Sequence, residues 1–167
     1  MRDVIAGVVA VALLLVAASL ATTLRLYQRR RRRARDAERT RGRTIIAEIP
    51  TEDELVLFSA DDDAFHCGDR AIPKDSIIAA RVLINGTPLV AYESRRANVG
   101  SRARATSFDD RPEGIARDRW DVAIETTDTA QGGVMMVACG AIRERVSQEL
   151  ARAVFDAVKR DLELRDR

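Results

Sequence analysis

Apolar and polar positions follow three successive patterns along this chain. Residues 4–24 form one uncharged run of mostly Val, Ala and Leu, in which Ser19, Thr22 and Thr23 are the only polar side chains. At about 1.5 Å of rise per helical residue the run reaches roughly 31 Å, matching a bilayer's hydrocarbon core of about 30 Å. It predicts a transmembrane helix over 1–27, followed by a charged stalk over 28–43. Short runs rich in Ile and Val come next. Residues 44–49 are closed by Pro50, residues 54–58 read as a strand, and 64–67 pair with them across a turn at Asp61, Asp62 and Asp63. The apolar run 77–84 meets Asn85-Gly86, the strongest short hairpin signal, with 89–92 as the return strand. The pattern dissolves into a polar loop over 93–119, then resumes as alternation at 120–126 and 134–139, joined through Gln131, Gly132 and Gly133. After Gly140, the residues Ile142, Val146, Leu150, Val154, Val158 and Leu162 recur every four positions. That row predicts an amphipathic helix over 141–164 with one face on a sheet. Strands first and one helix last indicate an α+β domain over 44–167.

Charge gives the apolar run a direction. Between positions 25 and 43 there are ten arginines, five of them consecutive, against Asp36 and Glu38. By the positive-inside rule this flank is cytoplasmic, which places the chain as a single-pass protein of the inner membrane with its large domain in the cytosol. A cleaved signal peptide is the competing reading, because 17–19 and 19–21 resemble small-residue cleavage sites. Against it, Arg2 sits beside Asp3, so the amino terminus carries little net side-chain charge. The arginine block itself is read as a membrane-surface element. Arg29, Arg30, Arg31, Arg32, Arg33 and Arg35 are the residues expected to meet anionic lipid headgroups, each worth about 1 kcal/mol near the surface. Nucleic acid is not expected, since no aromatic residue interleaves the block after Tyr27. Small residues at Ala6, Ala10, Ala17 and Ala21 permit close helix approach, so self-assembly into a homo-oligomer is also an expectation. The 44–167 domain has the opposite sign, with 17 basic and 23 acidic residues, and should be repelled by an anionic leaflet rather than lie on it.

The chemistry-bearing residues are sparse. Cys67 and Cys139 lie in no CxxC motif, and with a single histidine they cannot complete a zinc site. In a cytosolic domain they are reduced, and on the envelope side they become a disulfide. His66 neighbours Cys67, but adjacent strand side chains point to opposite faces, so the two diverge. Asp61, Asp62 and Asp63 lack the alternating ligands and distal glutamate of an EF-hand loop and read as a solvated turn. No catalytic, cofactor-binding or metal-binding residue is assigned, and no cofactor is implied. Arg95, Arg96, Arg102 and Arg104 in the 93–119 loop are the positions suited to gripping a phosphate or an acidic partner.

The strand Glu54-Leu-Val-Leu-Phe58, the segments Ala64-Phe-His-Cys67 and Ala71-Ile-Pro-Lys-Asp-Ser-Ile-Ile78, the strand Trp120-Asp-Val-Ala-Ile-Glu125 and the final helix follow one another in an order with a known counterpart. It resembles the pleckstrin-homology superfold, and especially the PH-like domains of small bacterial membrane proteins. The resemblance implies an antiparallel sheet or barrel closed by the carboxy-terminal helix, serving as a scaffold for proteins or peptides. Phosphoinositide recognition does not carry over, because the first hairpin loop is acidic rather than basic. The function expected is therefore a non-catalytic protein-interaction or assembly module. The alternatives are an envelope-side domain bridged by Cys67 and Cys139, or a small membrane-associated enzyme with a site around Asp61 to Asp63 and His66.

Overall fold

The computed structural model describes residues 2–51, 55–95, 118–127 and 133–167, with the side chains of the first helix described from Leu13 onward. The chain divides into two compact units, Met1–Arg41 and Gly42–Arg167.

The first unit is one continuous helix, α1 (Arg2–Thr40), so most of the predicted stalk is its last third. Thr22 and Thr23 donate their hydroxyls back to the carbonyls of Ala18 and Ser19, the arrangement that hides a hydroxyl within a helix. The expected transmembrane helix is corrected here. Among the described residues, no helix is long and apolar enough to cross a membrane. The apolar and arginine-rich stretches share one axis. Among the described side chains the uncharged stretch 13–24 ends at Arg25, about 18 Å of rise against a core of about 30 Å. The single-pass and transmembrane reading is withdrawn with it.

The second unit is α+β: two antiparallel four-stranded sheets and one helix around a shared core. Sheet one is the meander β1 (Thr44–Pro50), β2 (Leu55–Ala60), β3 (Ala64–Cys67) and β4 (Arg70–Pro73), hydrogen-bonded in that order. Pro73, which has no N–H to continue a ladder, ends β4. A 3-10 turn, Lys74–Ser76, then carries the chain into sheet two. That sheet contains β5 (Ile77–Ile84), β6 (Thr87–Glu93), β7 (Arg119–Thr126) and β8 (Val134–Ala141) in the order β6-β5-β7-β8. The segment 71–78, read from sequence as one continuous feature, is therefore the switch between sheets. The expected PH-like sheet or barrel is also corrected: there are two sheets, each ladder has two ends, at β1 and β4 and at β6 and β8, and among the described residues no pairing joins them.

The hairpin at Asn85-Gly86 forms as its sequence predicts. Both residues take positive φ, 53° and 78°, the combination a two-residue type I′ turn requires. Asn85 also ties the turn to β7, because its side-chain oxygen accepts the Arg119 N–H at 3.1 Å.

The closing helix, α2 (Arg145–Arg165), buries Ser147, Ala151, Val154, Phe155, Val158 and Leu162. This stripe shares Val154, Val158 and Leu162 with the every-four row expected and adds Ser147, Ala151 and Phe155. Four residues turn a helix by about 400°, so such a row drifts about 40° per step, and the buried stripe must mix steps of three and four. Val146, a member of the expected row, is accordingly exposed. Where β8 leads toward the helix, Gly140 sits at φ +115°, and a Cβ there would stand 2.5 Å from the Ser147 hydroxyl. Only glycine serves both demands.

Candidate functional site

Edge strand β6 and helix α2 frame an apolar concavity. Every residue of β6 except Tyr92 is exposed, and Leu89 and Val90 remain 60% and 46% accessible. Pro88 suits an edge, where one N–H is dispensable. Leu89 is the extra residue of an irregularity in register: Val82 pairs with Val90, and Leu83 pairs with Pro88. Beside it, Val82, Trp120, Ala151 and Phe155 make an apolar floor, and Gln148, Arg152 and Asp156 line the helix side. The groove holds about 240 Å³. Sites for small molecules run to about 300–1,000 Å³, so this one suits a single side chain better than a whole ligand. Trp120, the chain's only tryptophan, donates its indole N–H to the Ile142 carbonyl at 3.4 Å, leaving its ring as groove wall.

Beyond the groove the strand is firmly anchored. The Asp166 carboxylate accepts from the Ser94 hydroxyl (2.7 Å), the Arg95 N–H (3.1 Å) and the Tyr92 hydroxyl (3.3 Å). Burial and then this carboxylate push the Tyr92 phenol above its ordinary value. The Lys159 ammonium stands 5.9 Å over the Tyr92 ring. Arg81 secures the strand to the rest of its sheet, contacting Glu93 on β6 and Glu125 on β7 at 2.9 Å each. Burial raises the Glu125 carboxyl, and the guanidinium opposes that rise.

A second cluster forms at the β2–β3 turn. Asp61 Oδ1 accepts the N–H groups of Ala64 (2.7 Å) and Asp63 (3.0 Å), and its Oδ2 meets His66 Nε2 at 2.6 Å. Arg43 Nε lies 3.7 Å from the same oxygen. The hydrogen bond from His66, followed by that from Ala64, lowers the Asp61 carboxyl from 3.8 to about 2. Lys74 donates to the carbonyls of Asp61 (2.6 Å) and Asp62 (3.2 Å) and stands 5.3 Å over the Phe65 ring. The structure thus brings Asp61 and His66 together, as the enzyme alternative requires. Among the described residues no reachable nucleophile stands beside them. Ser59, which faces His66 across the ladder, is fully buried. Cys67 points away on the opposite face. The arrangement works as a lock on the hairpin, with each carboxylate oxygen and the turn carbonyls satisfied.

Both cysteines are free thiols. Burial raises Cys67, and it pushes the fully buried Cys139 up to about 12, so neither is an activated thiolate. Among the described residues no cluster of three or more His, Cys, Asp or Glu side chains is placed to hold a metal ion. The arginine block lies on α1, with Arg29 to Arg33 exposed and Arg35 half-buried. Of the four loop arginines, Arg95 is placed at the end of β6, with its backbone bound to Asp166. Arg96, Arg102 and Arg104 lie outside the described residues. No signal in the sequence pointed to the groove, because its walls come from Val82, Leu89, Trp120 and Arg152, which only the fold brings together.

No family model, curated protein or solved structure matches this chain, so the site is read from its own chemistry.

Proposed function

We propose that the 42–167 unit is a non-catalytic interaction module that binds an extended segment of a protein partner along β6. The segment's backbone continues the sheet at this edge, and one of its apolar side chains fills the groove beside α2. The observation that carries this reading is the coincidence of an exposed strand that ends its ladder among the described residues with a side-chain-sized cavity immediately alongside it. Strand addition draws affinity from main-chain hydrogen bonds and specificity from pockets for alternate side chains. Natural edge strands are usually blunted with charge because an open edge invites pairing. β6 carries Pro88 and the irregularity at Leu89, but no charge before Glu93, and it presents Leu89 and Val90.

Trp120 supplies the readout. A displayed random dodecapeptide library is selected on the full chain, and the recovered peptides are titrated against its tryptophan fluorescence. The expected result is saturable binding that shifts the emission and is lost in Leu89→Asp, an exposed change that leaves the fold intact. Recovery of no peptide, or binding indifferent to Leu89→Asp, overturns the reading.

A further inference from the structure

The helix wall of the groove carries charges without a partner among the described residues. Along α2 the opposite charges Arg145 and Glu149, Lys159 and Glu163, and Asp161 and Arg165 are paired at 3.1, 3.6 and 2.9 Å. Asp156 has Arg152 one turn before it and Arg160 one turn after, yet pairs with neither among the described residues. Arg152 and Asp156 both line the groove, one turn apart along the same face as Gln148. An unpaired cation and an unpaired anion therefore stand in a row beside an apolar cavity.

The spacing of that row matches an extended chain. Side chains four apart on a helix are separated by about 6 Å along its axis. Alternate side chains of a strand, which share a face, are separated by about 6.6 Å. The direction matches as well. β6 runs along α2 in the same sense, with Leu89 and Val90 beside 148–156, Tyr92 beneath Lys159, and Ser94 and Arg95 at Asp166. A segment laid on β6 thus passes Arg152 and Asp156 at successive same-face positions.

Resting on the groove reading above, we infer that the module selects a segment carrying an acidic and a basic residue two positions apart. The acidic residue meets Arg152 and the basic one meets Asp156. Rim charges of this kind contribute little affinity but set register and reject wrong partners.

The test repeats the dodecapeptide selection on wild type and on the double variant Arg152→Asp/Asp156→Arg, whose changes lie at exposed positions. A thermal melt confirms that the variant folds. The expected outcome is an acid–base register two residues apart in the wild-type peptides that inverts in those selected on the double variant. Each peptide set should bind the opposite protein about tenfold more weakly, the scale of two rim pairs turned from attraction to repulsion. Peptides that need Leu89 but show the same charge pattern on both proteins would overturn this inference and leave the groove standing. Recovery of no Leu89-dependent peptide would overturn both.

Discussion

Leu13, Leu14, Leu15, Val16 and Leu20 on α1 are each more than half exposed, whereas Val154, Val158 and Leu162 on α2 are completely hidden. Both helices are regular, and both are rich in Ala, Val, Leu and Arg. The difference lies in spacing. Four consecutive apolar residues on a helix are turned about 100° from one another and cannot all face one partner. The α2 stripe, built on steps of three and four, keeps its apolar atoms on one side, where they pack with Phe58, Ile77, Val122, Ile124 and Val137. Apolar content makes a helix hydrophobic, but spacing decides whether a small domain can bury it.

The contrast yields its largest effect in the core. Leu162→Ala should cost about 2–5 kcal/mol, the loss expected when a fully buried leucine leaves a cavity. Leu20→Ala, at a position 66% exposed, should change stability by less than about 0.5 kcal/mol. Urea denaturation of the full chain, followed at Trp120 in the second unit, measures both. Equal losses would erase the distinction between the helices.

The same distinction explains how much of the molecule was legible beforehand. Local signals read well. The Asn85-Gly86 turn, the strands either side of it and the existence of a final helix all follow from neighbours in sequence. Features set by geometry over several residues read less well. The every-four row on α2 was real as a pattern, but its accumulated rotation carried Val146 out to solvent and left Ala151 and Phe155 to be found inside. Length and content alone make the run at 4–24 a membrane span, and a length rule does not see that apolar and charged stretches share one helix. Ile72 and Ile77, five positions apart, lie in different sheets because Pro73 ends one ladder and a 3-10 turn starts the other. The groove is not legible in the sequence, because it is assembled from β5, β6, β7 and α2. The arginines at 95, 96, 102 and 104 follow instead from charge within one loop, and three of them lie outside the described residues.

Charge placement provides a subtler test, confined to acid. The arginines of α1 repeat without any one position being singled out, but in the second unit Asp61 is held by two backbone N–H groups and His66. A carboxyl lowered in the folded state contributes stability that is fully present above its unfolded value and is lost as pH falls through the folded value. For Asp61 that window runs from 3.8 down to about 2. Wild type should therefore lose stability more steeply than Asp61→Asn across this range, with the two curves parallel above about pH 5. Urea midpoints at half-unit pH steps decide it. Parallel curves throughout the acid range would mean that Asp61 is not held by the fold.

The smallest effect asks whether charge order within α2 matters as spacing does. Arg145 and Glu149 form an i, i+4 pair at 3.1 Å, with side chains 90% and 64% exposed. Solvent screens such a pair to at most about 0.5 kcal/mol. Its order, cation before anion, is the less favourable one. Arg145 also occupies the first turn of a helix that has no acidic residue there and no side-chain cap on its amino-terminal N–H groups. The partial positive charge at that end repels a guanidinium. Two opposed terms of a few tenths of a kcal/mol thus meet at one residue. Arg145→Ala should consequently leave α2 as stable as before or slightly more so at low salt, and the difference should fade as salt screens both terms. At the other end, Asp161 precedes Arg165 in the favourable order at 2.9 Å, and Arg165 lies in the last turn, where a cation is welcome. Arg165→Ala should therefore lose stability. Paired melts at low and high salt distinguish the two ends, and a loss at both would show that pairing alone governs the exposed face of α2.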